Sequence, residues 1–288
     1  MKKKDLVVLV GVIGIIMMMI LPIPTWLLDV LLIVNISLAM IILLIAMNTK
    51  EALEFSIFPA MLLITTLFRL ALNISTTKLI LGQANAGSVV ATFGSWIAGG
   101  QIAIGFVVFL ILVVVQFIVI TKGSERVAEV GARFTLDAMP GKQMSIDADL
   151  NAGMINEQQA RERRSKIERE ADFYGAMDGA SKFVKGDAIA GIIILLINLI
   201  GGFIIGIAIH GMAFTEALST YSVLTIGDGL VSQIPALLIS TAAGLIVTRA
   251  SSEGNLADDI TSQLLSYPKL LYIVAGVITL LGLFTPIH

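Results

Sequence analysis

Residues 124–153 read "SERVAEVGARFTLDAMPGKQMSIDADLNAG", and they interrupt a chain otherwise built of long apolar runs. The stretch carries acids and bases of both signs and a Pro-Gly pair, with hardly any apolar run. Its surroundings decide what it is. The 288 residues are 57% hydrophobic and only 14% charged, with a mean hydropathy of +0.94, where soluble domains carry about 25% charged residues. That composition belongs to an all-α polytopic membrane protein, and the quoted stretch opens a polar insert between its helices. A net charge of −2 gives no pull toward nucleic acid. The absence of cysteine excludes disulfides, thiolate catalysis and Cys-ligated metal. His210 and His288, the two histidines, have no metal-ligand spacing.

A membrane-crossing helix needs roughly 20 mainly apolar residues. Working outward from the insert, such runs occupy 6–21, 26–47, 55–77 and 101–121 before it, and 187–209, 229–248 and 269–287 after it. Seven spans are therefore expected. Lys2, Lys3 and Lys4 ahead of the first run resemble the start of a signal peptide. Pro22-Ile23-Pro24 follows where a small-residue cleavage site belongs, so the run reads as an uncleaved span. The apolar piece 86–98, with Trp96, is broken from the next span by Gly99-Gly100-Gln101 and reads as interfacial or re-entrant.

Basic residues fix the expected orientation. Lys2, Lys3, Lys4, Lys50, eleven bases between Lys122 and Lys185, Arg249 and Lys269 fall on one side, and among the loops of the other side only Lys78 is basic. The N-terminus and the insert are thus expected in the cytoplasm, the whole in a bacterial inner membrane as a multi-pass protein. Seven spans leave His288 outside, directly after a helix, so a further inward-going span is expected to follow in a longer chain. The division is then 1–121 for the first four membrane helices, 122–186 for the cytoplasmic insert and 187–288 for the later membrane helices.

The insert holds eleven bases and eleven acids; a surface for nucleic acid or anionic lipid would be of one sign. Asn156 with Gln159 three residues on has the pattern of a helix N-terminus, and Glu157–Arg161 and Glu162–Lys166 are spaced to pair along that helix. Pro140-Gly141 suits the centre of a type II turn. A small mixed α/β module is the expectation. Asp147 and Asp149 imitate the start of a calcium loop but lack its glycine and distal glutamate, so no metal is assigned.

No phosphate-cradling loop is present. The one Gly-Lys pair, Gly141-Lys142, has Leu136 where the first glycine belongs and Gln143 where Ser or Thr belongs. No enzyme activity and no cofactor are expected, and any work must come from an ion gradient or a partner. Ionisable residues within spans are costly and so mark function. Arg69 lies fourteen residues into its span, roughly 21 Å, and shares a face with Thr65, Asn73 and Thr76. Asp29, near the outer end of the preceding span, is its expected counter-charge. Asp187 opens the fifth span, and Gly191, Asn198, Gly202 and Gly206 follow it at helical spacing as a small, polar packing stripe. It reads either as a proton-binding acid or as an N-cap. Asp228 is expected near the outer surface, on one face with Ser232 and with Pro235 able to break the helix below them, and it reads either as a periplasmic-entry acid or as a plain loop aspartate.

Arg126, Glu129, Arg133-Phe134, Asp137, Met139-Pro140-Gly141-Lys142 and Ile146-Asp147 together resemble the signature of the FHIPEP family, the large export-gate subunit of bacterial type III secretion systems, most nearly its flagellar branch. "LFRLALNIS" (67–75) and "YGAMDGASKFVKGDAIAGI" (174–192) extend the resemblance over essentially the whole chain. It implies eight membrane helices followed by a soluble domain that docks chaperones and substrates. It also implies a homo-oligomeric ring, thought to be nine-membered, that couples the proton-motive force, or a sodium gradient, to protein export. The implied partners are the other export-gate membrane subunits, the export ATPase complex and substrate–chaperone complexes. In such proteins the aspartate at Asp187 matters for export. Alternatives are an injectisome gate of the same family and a stand-alone secondary ion transporter.

Overall fold

The computed structural model describes residues 3–98, 101–118, 123, 125–248, 261–262 and 265–284. Lys2, Lys122, Arg249 and His288, on which part of the orientation and end-of-chain expectations rested, lie outside them. Nine α-helices follow one another among the described residues: α1 Lys3–Ile20, α2 Thr25–Asn48, α3 Phe58–Gln83, α4 Gly87–Ala98, α5 Ile102–Ile118, α6 Glu125–Asn151, α7 Glu157–Ala208, α8 Phe214–Thr248 and α9 Pro268–Phe284. A short 3₁₀ helix, Ala52–Phe55, precedes α3.

Several helices bury one face and leave apolar side chains exposed on the other. In α2 the buried positions Leu28, Leu32, Asn35, Ala39, Ile42 and Ala46 recur every three or four residues, while Trp26, Val30, Ile33 and Ile41 stand exposed. Exposed apolar residues are at ease in lipid, so they need no partner. α3 and α8 are the most enclosed, with 61% of their apolar windows buried. Two apolar clusters result. Ala39, Ile42, Phe58, Leu62, Met177 and Ile239 form one. Leu28, Leu32, Leu72, Ile80, Tyr221 and Val231 form the other.

Cross-contacts set the directions. The Met18 carbonyl near the end of α1 accepts from Ser75, and the Met19 and Ile20 carbonyls accept from Lys78, so α1 ends where α3 nears its end. Arg69 meets Asp187, and Leu81 lies by Gly201, so α3 and α7 run parallel. Asn198 meets Asp228, and Gly206 lies by Tyr221, so α8 runs back. The start of α1, the α2–α3 connection and the polar insert therefore share one end of the bundle.

The insert corrects the mixed α/β expectation: no strand occurs among the described residues. It is a helical hairpin of α6 and the first half of α7. Pro140 does not make a turn but sits inside α6. An interior proline costs about 3 kcal/mol, which the hairpin offsets by burying Ile146 against Ala160 and Ile167, flanked by Met139 and Leu150. The chain turns instead at Gly153, whose φ of +73° suits glycine. The start signal at Asn156 is borne out: its side chain accepts from the Gln159 N–H at 2.8 Å and Gln159 returns the bond to the Asn156 N–H at 3.0 Å. From there α7 runs 52 residues without a break, roughly 78 Å, and only its second half is apolar.

The count of seven spans is not supported. Among the described residues four helices, α2, α3, α7 and α8, are long and apolar enough to cross a membrane, and five if α4 and α5, bent by 101°, form one broken span. Within the described residues α1 and α9 hold shorter apolar stretches, below the roughly 20 residues a crossing needs. The break expected between 86–98 and the following span is met by that bend. α8 starts at Phe214, not at 229, and passes through Pro235 unbroken.

Candidate functional site

Between the two apolar clusters α3, α7 and α8 meet along a polar band. Arg69 on α3 donates from Nε to the Asp187 Oδ2 on α7 at 2.6 Å, and a second guanidinium nitrogen touches the same oxygen. The two residues are 3% and 6% exposed. One helical turn along α3, Asn73 accepts from the Ser232 hydroxyl of α8 at 2.6 Å. A further turn on, Asn198 of α7 donates to the Asp228 carboxylate of α8 at 3.0 Å, with Thr76 of α3 beside it. Three pairs thus bind three helices. Along α7 the band runs from Asp187 to Asn198, eleven residues or roughly 16 Å.

A narrow cleft of about 50 Å³ follows the band, lined by Arg69, Asn73, Asp187, Asp228, Ser232 and Gln233, with Val113 and Phe117 of α5 at its side. A water needs about 10–15 Å³ of such space, so the cleft can take a short file of them. Asp187 Oδ1, Arg69 Nη1 and Asn198 Oδ1 are buried without a partner in the protein. Carboxylates at two levels, amide and hydroxyl groups between and water-sized space beside them can hold and hand on a proton. No cluster of His, Cys, Asp or Glu that could hold a metal ion occurs among the described residues.

The structure re-pairs the predicted charges. Arg69 meets Asp187, not Asp29. The Asp29 carboxylate instead caps α4, accepting from the Ser88 N–H at 2.9 Å, the Ser88 hydroxyl at 2.7 Å and the Val89 N–H at 2.9 Å. Gly87, at φ +90°, gives it the room, since a Cβ there would collide with the carboxylate. Free N–H groups and the dipole at a helix start hold a carboxylate well, so Asp29 has a partner of its own. The N-cap reading of Asp187 fails, because α7 has run thirty residues before reaching it. Asp228 is 3% exposed in mid-helix, not near an outer surface.

Gly202 and Gly206 do serve packing, though what they admit is a side chain: a Cβ at either would strike the Tyr221 ring. Gly191 has nothing within 4 Å and only lines the cleft. α4 and α8 approach closely, with Gly94 abutting the Val223 carbonyl and Gly227 the Val90 carbonyl. Both glycines were missed: Gly227 has no small residue three or four away on its helix, but Gly94 does, with Ala91 before it and Ala98 after it, and that spacing was the available sign. Asn198 was expected only in packing; its position eleven residues after Asp187 on one stripe was the available sign of a second role.

On the hairpin, Arg133 and Asp137 pair at 3.7 Å within α6, and Lys142 reaches Glu170 of α7 at 3.0 Å. Asp147 and Asp149 are taken by Arg164 and Arg163, which suits ties between helices rather than a calcium loop. Glu157–Arg161 is met at 3.9 Å. Lys166 passes over Glu162 for Glu51 at 2.8 Å, tying the hairpin to the α2–α3 connection. Exposed pairs contribute about 0–1 kcal/mol each, so they orient the hairpin more than they stabilise it. Arg126 and Glu129 stand exposed on α6.

A family model described as "FHIPEP family" matches residues 15–288. The flagellar biosynthesis protein FlhA of Bacillus subtilis is 66% identical over 287 residues, covering 100% of this chain and 42% of that protein. FlhA of Proteus mirabilis is 57% identical over 271 residues, 92% of this chain and 39% of that protein. The low calcium response locus protein D of Yersinia pestis is 55% identical over 284 residues, 98% and 40% respectively. The chain therefore spans about two fifths of the length of the curated relatives it matches. No solved structure matches.

Proposed function

This chain belongs to the FHIPEP family, and from that premise we propose that it is the membrane part of a flagellar type III protein export gate, coupling the proton-motive force to export. The flagellar branch is favoured by the 66% and 57% identities to two flagellar biosynthesis proteins FlhA; an injectisome gate is the second reading, favoured by the 55% identity to the Yersinia protein. The observation that carries ion coupling is the buried band from Arg69–Asp187 through Asn73–Ser232 to Asn198–Asp228 along a water-sized cleft. Intramembrane acids are costly and usually functional, and here two share one cleft. Structural packing alone gives no reason to bury them.

In this reading Asp187 and Asp228 take up and release protons, and Arg69 sets when Asp187 can do so. Sodium would use the same oxygens. Asp29 orders α4 and stands off the path. The gate is not an enzyme and holds no cofactor. It lies in the bacterial inner membrane with its N-terminus and hairpin cytoplasmic. It assembles as a homo-oligomeric ring, nine-membered on the family resemblance, with the other export-gate subunits, and it meets the ATPase complex and substrate–chaperone complexes through a soluble domain. A stand-alone transporter is disfavoured because the sequences before and after the hairpin show no internal similarity.

Protein export from cells carrying Asp187→Asn, Asp187→Glu or Asp228→Asn in the full-length gate tests this. Both asparagine variants are expected to stop export while still inserting in the membrane, and glutamate to keep part of it. Normal export by both asparagine variants would exclude ion coupling through this cleft.

A further inference from the structure

The polar face of α8 does not end at Asp228. Tyr221, Thr225, Asp228 and Ser232 follow one another at intervals of four, three and four residues, a single helical face. Tyr221 is 0% and Thr225 1% exposed, and neither hydroxyl has a hydrogen-bond partner in the protein. A buried hydroxyl without a partner costs free energy. Phenylalanine and valine would fill the same space without that cost, so the two hydroxyls call for a reason other than packing.

Position supplies one. The cleft reaches Asp228 from the side of Asp187 and is not lined by anything beyond it toward the far end of α7. In that direction the Tyr221 ring occupies the notch left by Gly202 and Gly206, and Thr225 lies on the same face between Tyr221 and Asp228. Beyond Asp228, toward the end of the bundle opposite the hairpin, this face continues through two buried side chains that do not line the cleft.

We infer that Tyr221 and Thr225 form the far-side segment of the ion path, with Tyr221 as its closed gate and its outermost proton-passing group. The inference rests on the reading that Asp228 carries a proton. A hydroxyl can serve because it both accepts and donates. It takes an incoming proton on an oxygen lone pair, forming one O–H bond, as its original O–H bond breaks and that proton moves on toward Asp228. The group ends unchanged, with no net charge and no electron transferred. The ring in its glycine notch keeps the segment closed to bulk water, so passage requires the proton to use the hydroxyl.

The test compares export by cells expressing the full-length gate with Tyr221→Phe, Thr225→Val or both, against Asp228→Asn. Each export rate is measured over a series of protonophore concentrations. Both changes keep the shape and remove only unpartnered hydroxyls, so membrane levels and thermal stability should match or exceed those of the parent. Positioned proton-transfer groups contribute on the order of 10²–10⁴-fold; with water shut out, the double variant is expected to lose roughly a hundredfold or more in export rate and to be half-inhibited at a lower protonophore concentration. If Asp228→Asn exports normally, the proton-carrying reading itself fails. If Asp228→Asn is inactive but the double variant exports at the parental rate, Tyr221 and Thr225 are not on the path. Loss of export with the protonophore midpoint unchanged would show a packing role and overturn the inference equally.

Discussion

Arg69 and Asp187 are so deeply buried, at 3% and 6% exposure, that neither charge can be removed without stranding the other. Breaking a buried pair from one side costs about 3–5 kcal/mol, whereas replacing both partners by apolar groups is often neutral or stabilising. Asp187→Asn, or Arg69→Leu alone, should therefore lower the melting temperature of the detergent-purified protein, and Arg69→Leu with Asp187→Leu should restore most of it. Export should stay lost in the double variant, separating the pair's contribution to folding from its use in transport. Additive losses of stability would mean that the two side chains do not meet. The pairing was not legible because the sequence sets span edges by affinity for lipid. Asp187 follows a run containing Asp178, Lys182 and Lys185 and so looked like a membrane edge. Phe173, Tyr174, Met177, Ala180 and Val184 in that same run are buried against the other helices, and protein contact carries Asp187 to the level of Arg69. The band's membership, by contrast, was readable: Arg69, Asn73 and Thr76 on one face, and Asp228 with Ser232 on another.

At the scale of the helices, glycine separates contact from mere spacing. A Cβ at Gly227 would run into the Val90 carbonyl, a backbone atom that cannot rotate away, whereas one at Gly191 meets nothing within 4 Å. Gly227→Ala should then cost about 1–3 kcal/mol through overpacking, seen as a lowered melting temperature. Gly191→Ala should be neutral or gain up to about 1 kcal/mol from helix propensity. Equal effects at the two positions would remove the close crossing of α4 and α8. Helix existence was legible almost throughout, and so was the start at Asn156, because apolar periodicity and capping are local. The continuity of α6 through Pro140 and of α8 through Pro235 was not. Proline speaks against a helix locally, and the packing that overrides it comes from α7 and from neighbours far away in sequence. The extension of α8 back to Phe214 was hidden for a similar reason. Ser222, Thr225 and Asp228 look like loop residues until their burial is known.

For the molecule as a whole, the directions of the helices and the distribution of charge point to one arrangement in the membrane. From Gln158 to Ala208 α7 covers roughly 75 Å, far beyond the ≈ 30 Å of a hydrocarbon core, so its charged half stands clear of the bilayer. The Lys166–Glu51 tie puts the α2–α3 connection at the same end, and the turn after α7 is at the other. Lys142, Arg161, Arg163, Arg164 and Arg169 lie in the hairpin, and basic loops stay in the cytoplasm. The chain has no cysteine, so single replacements can report on each side without background. Ser56, Gln158 and His210 are exposed and suit the purpose. In intact spheroplasts a membrane-impermeant maleimide should label His210→Cys, and should label Ser56→Cys and Gln158→Cys only after permeabilisation. The reverse pattern would invert the protein in the membrane. Labelling of all three from outside would mean that α3 and α7 do not cross, and the band between them could not then carry ions from one side to the other.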